Sequence, residues 1–240
     1  MSTHGPRTLR DRRMVLKNSY RISHQAARRI IPSVCAAALA VAFTISTLQP
    51  AYAGQVTPPQ VPANIKVPAG NKAFLVGHAF GTQNYVCKPS SSAPGVAYVL
   101  FTPEATLFNE DGGQLITHFF SPNPDPHDPN TSATVVADGA IRATWQHRDT
   151  STVWAKVHAN PDGSNGSATV DPKSIAWLLL EAVGAEDGPT GGDKLTRTTF
   201  IQRVNTVGGL APSSGCASPA DLGNQAFVDY AADYFFYTNQ

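Results

Sequence analysis

Polar and apolar positions along this chain sort into short blocks. After Gly70 the runs AFLVGHAF, QNYVC, GVAYVLF, ATLFN, QLITHFF, TSATVVA, AIRATWQH, STVWAKVH, SIAWLLLEAV, TTFIQRVN and QAFVDYAADYFFY recur between turn signals. Most are about 4 to 8 residues long and rich in Val, Thr, Phe, Tyr and Trp, which predicts strands. Their number predicts an all-β fold, an antiparallel β-sandwich or barrel with at most one or two short helices. ATLFNEDGGQLITHFF predicts a hairpin around its Gly-containing loop, and TVVADGAIRATW predicts another that turns at Asp138-Gly139. The run SIAWLLLEAVGAEDG follows Asp171-Pro172 and ends at a glycine, as a helix would, yet IAWLLL is apolar on every side. Periodicity leaves helix and buried strand open for residues 174–184. Asn71 to Cys87, NKAFLVGHAFGTQNYVC, reads as a bent strand, with Gly77 and Gly81 predicting a bulge or sharp bend around His78.

Between these blocks the punctuation is equally informative. Residues 54–69 are Pro-rich and polar, which suits an extended arm more than a packed element, and residues 70–240 are read as a single β domain. HFFSPNPDPHDPNTS carries four prolines in eight positions from Pro122 and cannot ladder as a central strand. GAEDGPTGGDKL is a Gly-rich connection that fails as a phosphate loop, because Asp193 precedes Lys194 where that motif needs glycine.

The first 53 residues differ in kind. A basic lead-in is followed by IIPSVCAAALAVAFTISTL and then Ala51-Tyr52-Ala53, the order of a secretory signal peptide cleaved after Ala53. Eight of the 18 Lys and Arg but one of the 17 Asp and Glu lie in that segment, so the remaining chain has a net charge near −6. No basic cluster is left to suggest a nucleic-acid partner, and no membrane span is expected once the leader is removed. Cys35 belongs to the leader; Cys87 and Cys216 form an even pair in an exported chain, which predicts one disulfide and an extracytoplasmic location.

GTQNYVC, TPEATLFNEDG, ITHF, ATWQHRDTSTVWA, IAWLLL, TTFIQRVNTVGGLAPSSGC and YAADYFFY together resemble a secreted domain-of-unknown-function family of bacteria and fungi. Fungal members of that family are often labelled malate dehydrogenase. The resemblance spans about Asn64 to Tyr237 and implies an extracytoplasmic domain whose paired cysteines match Cys87 and Cys216, with no catalytic residues to carry over. The chain departs from the family pattern at Ala143, where a proline is usual, and at Thr150, where a glycine is usual; the segment from Ser121 to Ala140 is also longer. A dehydrogenase is rejected, because no G-x-G-x-x-G occurs to seat a dinucleotide. Nor is there a G-x-S-x-G elbow or an H-E-x-x-H pair, so no cofactor or metal is expected.

What remains as chemistry is a scatter of polar and aromatic side chains. Trp145-Gln146-His147-Arg148-Asp149-Thr150-Ser151-Thr152-Val153-Trp154 is the densest: two aromatic rings bracket His, Arg and Asp, a composition that stacks and hydrogen-bonds sugars. The competing reading buries both tryptophans in the core and uses Asp149 to cap its own turn. Candidate ligand-facing residues are His118, Trp145, His147, Asp149, Gln202, Arg203 and Asn205. Arg203 offers either a guanidinium fork to a ligand or an internal pair with Asp229 or Asp233. The expectation is a secreted or periplasmic module that binds a glycan or a small polar ligand; the alternative is an extracytoplasmic hydrolase or isomerase using His118 or His147 with Asp149 as an acid-base pair.

Overall fold

Strict alternation in the carboxy-terminal run sets the plan of the molecule. In the computed structural model, which describes residues 56–92, 94–125, 127 and 140–240, Tyr230, Ala232, Tyr234 and Phe236 all enter one buried cluster, while Phe235 and Tyr237 enter another. Because side chains alternate faces along a strand, those two clusters are the two faces of one sheet. The strands are β1 (Asn71–Pro89), β2 (Val96–Phe108), β3 (Gln114–Pro122), β4 (Ile141–His147), β5 (Thr152–Val157), β6 (Ser167–Ala168), β7 (Trp177–Glu186), β8 (Phe200–Gly208) and β9 (Gln225–Asn239).

Consecutive strands pair antiparallel from β1 to β5 and from β6 to β9, β9 returns to pair with β1, and β5 pairs with β7. The result is a closed eight-stranded antiparallel barrel, with β6 an additional short strand on the edge of β7. The expectation of an all-β sandwich or barrel is met by the barrel, and of residues 174–184 those from Trp177 onward belong to it as strand, with no helix in the segment. Among the described residues the only helical segments are 3-10 turns at Ala63–Ile65 and Pro219–Asp221. No helix among them is long and apolar enough to cross a membrane. The leader at residues 1–53, the run TSATVVA and the turn at Asp138-Gly139 lie outside the described residues.

Eight strands enclose a space that side chains can fill or that can hold one small ligand. Here the filling is uneven. The end bounded by the β2–β3, β4–β5 and β7–β8 loops is plugged: Leu195, fully buried, comes down from the β7–β8 loop onto the interior cluster. At the opposite end the β1–β2, β5–β7 and β8–β9 connections surround a mouth.

Outside the barrel, Val56, Val61 and Val67 of the arm pack on Ala73, Val204, Phe235 and Tyr237. The arm is thus a packed strap: Ile65 is wholly buried and its carbonyl accepts a hydrogen bond from Gln202 Nε2 at 2.7 Å.

β1 corrects one expectation. Its irregularities fall at Ala73/Leu75 and Asn84/Tyr85, and the ladder runs unbroken through Gly77 and Gly81. Those glycines instead permit close approach by β2: a Cβ at Gly77 would stand 2.9 Å from Leu107 Cδ2, and one at Gly81 would collide with the Glu104 carbonyl.

The β4–β5 hairpin holds a local strain. His147 O accepts from Thr150 N at 2.8 Å and Ser151 O from His147 N at 2.9 Å, leaving Thr150 at φ 72°. A β-branched residue in that region is disfavoured by roughly 1–2 kcal/mol. The bond from Thr150 Oγ1 to Asp149 O offsets part of this. Thr150→Gly is therefore expected to raise stability by about 1 kcal/mol, read as a higher urea midpoint at unchanged slope; a lower midpoint would show that the hydroxyl outweighs the strain.

Candidate functional site

The mouth of the barrel opens into a cavity of about 430 Å³. Leu100, Phe120, Ala143, Val157, Leu178 and Leu180 form apolar wall, and among its polar lining are Gln83, His118, Arg142, Lys156 and Arg203, with no Asp or Glu among the described residues. Toward the interior lies an aromatic group: the His118 ring stacks on Trp145 at 4.2 Å and 8°, and Tyr234 meets both edge-on at 5.2 and 5.7 Å.

Each polar group here is fixed by its strand. His118, inward-facing on β3, has a ring nitrogen Nδ1 2.8 Å from the Thr144 carbonyl, so Nδ1 carries the proton. Complete burial, with a further push from the Arg203 charge, pulls the imidazole pKa down to about 3, so the ring is neutral. Arg203, inward-facing on β8, donates from Nε and Nη2 to the Ala176 carbonyl at 3.1 and 2.8 Å. It does not pair with Asp229 or Asp233; the carboxylate of Asp233 is taken by His78 at 2.7 Å and by Asn205 Nδ2 at 2.7 Å. Two further donors of the lining, Gln83 Nε2 and Trp145 Nε1, are buried without a hydrogen bond among the described residues, although the Gln83 amide faces the Tyr230 hydroxyl.

Of the seven sequence candidates, the structure brings together His118, Trp145 and Arg203. The others lie elsewhere. His147 and Asp149 sit at the plugged end, 2.9 Å apart. Asp149 Oδ1 also accepts from Ser151 N and Oγ, and Oδ2 from Lys194 N, tying the β4–β5 hairpin to the β7–β8 loop beside Leu195. Burial opposes the charge, but the bonds from Ser151, His147 and Lys194 outweigh it and hold the carboxyl below the usual range. Gln202 is buried on the outer face, between Ile65 O and the Tyr237 hydroxyl. Asn205, at φ 52°, occupies the break in the β8–β9 ladder.

The acid-base pair imagined between His118 and Asp149 is not assembled, since the two line opposite ends of the barrel. Trp145 and Trp154 are 1% and 6% exposed, so neither offers a sugar-stacking face to solvent. Trp154 Nε1 is occupied by Ser121 Oγ at 2.8 Å. Among the described residues no group of three or more His, Cys, Asp or Glu is placed to hold a metal.

Sequence reasoning did not name Gln83, Tyr85 or Tyr234. Tyr234 carried a usable signal, the period-two series Tyr230, Ala232, Tyr234, Phe236.

Cys87 at the end of β1 and Cys216 in the β8–β9 loop form the expected disulfide, with Cα atoms 5.5 Å apart. The same loop is bound to β1 by the Cys87 and Gly223 amides, and by the Tyr85 hydroxyl on Gly209 O at 2.6 Å. Leu210 of this loop lines the cavity, so the disulfide braces one side of the mouth. A disulfide is at home in an oxidising, extracytoplasmic compartment.

A family model described as a protein of unknown function (DUF3455) matches residues 68–238. No curated protein and no solved structure matches the chain.

Proposed function

The chain belongs to the DUF3455 family, whose description assigns no activity, and on the geometry of the barrel mouth we propose that it is a binding protein for a small, largely apolar molecule. The observation that carries this is the 430 Å³ cavity itself: its size lies in the range of small-molecule sites, and apolar walls converge on a few polar groups. A container of this kind needs no catalytic set. The one His–Asp contact among the candidates, His147 with Asp149, belongs to a hairpin brace, which favours binding over acid-base catalysis. A glycan has less support than an apolar ligand, because the cavity polarity is sparse and both tryptophan rings are covered. Export through cleavage after Ala53 is part of the proposal, and the disulfide supports it.

The test uses N-phenyl-1-naphthylamine, a neutral dye that brightens in apolar surroundings. Wild-type protein is expected to bind it saturably at one site. Ala143→Trp, which puts an indole into the cavity, should weaken binding at least tenfold while the fold melts normally. A folded wild-type protein that ignores the dye, or an Ala143→Trp variant that binds it unchanged, would defeat the reading.

A further inference from the structure

Resting on that reading, we infer that the ligand is an organic acid, its carboxylate held by Arg203 at the mouth-side wall and its hydrocarbon or aryl body in the apolar cavity. Arg203 is half-buried and has no carboxylate within ion-pair distance among the described residues. Among the described residues its only hydrogen-bond acceptor is a neutral backbone carbonyl, met by Nε and Nη2, which fixes the guanidinium plane and leaves Nη1 unclaimed by any of them. A charge withdrawn from water without a counter-charge is costly, and an anion arriving with the ligand removes that cost.

The charge is felt across the cavity. His118, Tyr85 and Tyr230 are each perturbed by Arg203 in the direction a positive charge imposes, the imidazole toward neutrality and the two phenols toward ionisation, even though burial dominates all three. Lys156, also in the lining, is already met by Glu181 at 3.4 Å, whereas Arg203 has no carboxylate partner among the described residues.

A second observation is independent of charge. Gln83 Nε2 and Trp145 Nε1, on residues 2% and 1% exposed, are donors without acceptors, and His118 spends its one proton on Thr144. Among the described residues two unfilled valences around the cavity are therefore N–H groups, while His118 Nε2 is left as an acceptor. A ligand rich in acceptors and poor in donors suits them, which describes a carboxylate better than an alcohol, an amine or a sugar. One guanidinium with one free edge matches a monoanion, and the cavity volume admits a body of about a dozen heavy atoms.

The experiment titrates the purified full chain with decanoate and 2-naphthoate, and with the uncharged partners 1-decanol and methyl 2-naphthoate, by displacement of N-phenyl-1-naphthylamine at pH 7.5. The acids are expected to bind at least tenfold more tightly than their uncharged partners. Arg203→Gln should erase that preference, so that each acid and its uncharged partner bind within about twofold of one another, and Arg203→Lys should restore part of it. Equal affinity for acid and uncharged partner in the wild type overturns the inference and leaves the cavity reading intact, with no variant needed. An acid preference that survives Arg203→Gln overturns it also. Failure of the dye and all four compounds on folded protein would instead remove the cavity reading itself.

Discussion

Replacing Cys87 and Cys216 together with serine is expected to cost about 5 kcal/mol of stability. The bond joins positions 129 apart, and in the chain-entropy model a loop of that length removes about 5 kcal/mol of denatured-state freedom. Set against a typical domain stability of roughly 5–15 kcal/mol, the loss takes the variant close to the folding threshold. Urea titration of oxidised protein, reduced protein and the double variant reads the effect as a fall in midpoint. A midpoint unmoved by reduction, with both thiols shown free by mass analysis, would mean that the barrel closure alone holds the fold.

The same substitution tests how the mouth is built. Without the sulfur bridge, the β8–β9 loop keeps its backbone bonds to Cys87 and the Tyr85–Gly209 bond, so it loosens before it detaches. Leu210 loosens with it, and dye affinity should fall in protein that is still folded.

Alternating segments such as AIRATWQH and STVWAKVH announce β4 and β5 directly, because one face meets the core and the other meets solvent. The reading of Asn71 to Cys87 as one strand is met by β1, which spans 19 residues. What the pattern hid was the length of β2, which absorbs Pro103, a residue that sequence rules treat as a terminator. The ladder between β2 and β3 stops at Ala105, and beyond it the Thr102 hydroxyl accepts the Phe120 amide in place of the missing backbone partner. Substitution of a side chain for a ladder bond has no periodicity and leaves no trace in a hydropathy pattern.

The site was legible in a different measure. Trp145 and Arg203 attracted notice for their chemistry, and both line the cavity. His147 and Asp149 attracted the same notice from the same loop but belong to the plugged end, because Trp145 points inward two residues before the β4–β5 turn, whereas Asp149 is in that turn. Gln202 and Arg203 are adjacent and face opposite ways, one to the strap and one to the cavity. Chemical composition alone cannot separate such neighbours; the register can, once the strand boundaries are known. Barrel closure then decides which side chains share a lumen, and closure rests on pairing between the first and last strands, far apart in the chain.

Lowering the pH from 7 toward 3 is expected to destabilise the protein through His118 by about 1.4 kcal/mol for each unit below about pH 6.5, about 5 kcal/mol in all. In the unfolded chain this imidazole titrates near 6.5, and in the folded barrel near 3. Above the first value both states are neutral and stability from this group is flat. Between the two values only the unfolded state takes the proton, so acid pulls the equilibrium toward unfolding; below the second the folded ring protonates as well and the slope ends. Asp149, held below the usual carboxylate range, adds a further loss in the acid range as its brace to Lys194 is protonated away. His78 works in the opposite sense: burial lowers its pKa, but Asp233 and Glu110 outweigh that and raise it, so its contribution is complete below about pH 6.5 and is lost as the pH rises through the folded value. His118→Asn isolates the first effect, since the amide can still donate to Thr144 O but does not titrate. The expected result is a shallower decline of urea midpoint between pH 6 and pH 4 in the variant, whatever its stability at pH 7. Parallel slopes in the two proteins would mean that the ring gains a proton inside the barrel, where Arg203 would then face a second positive charge.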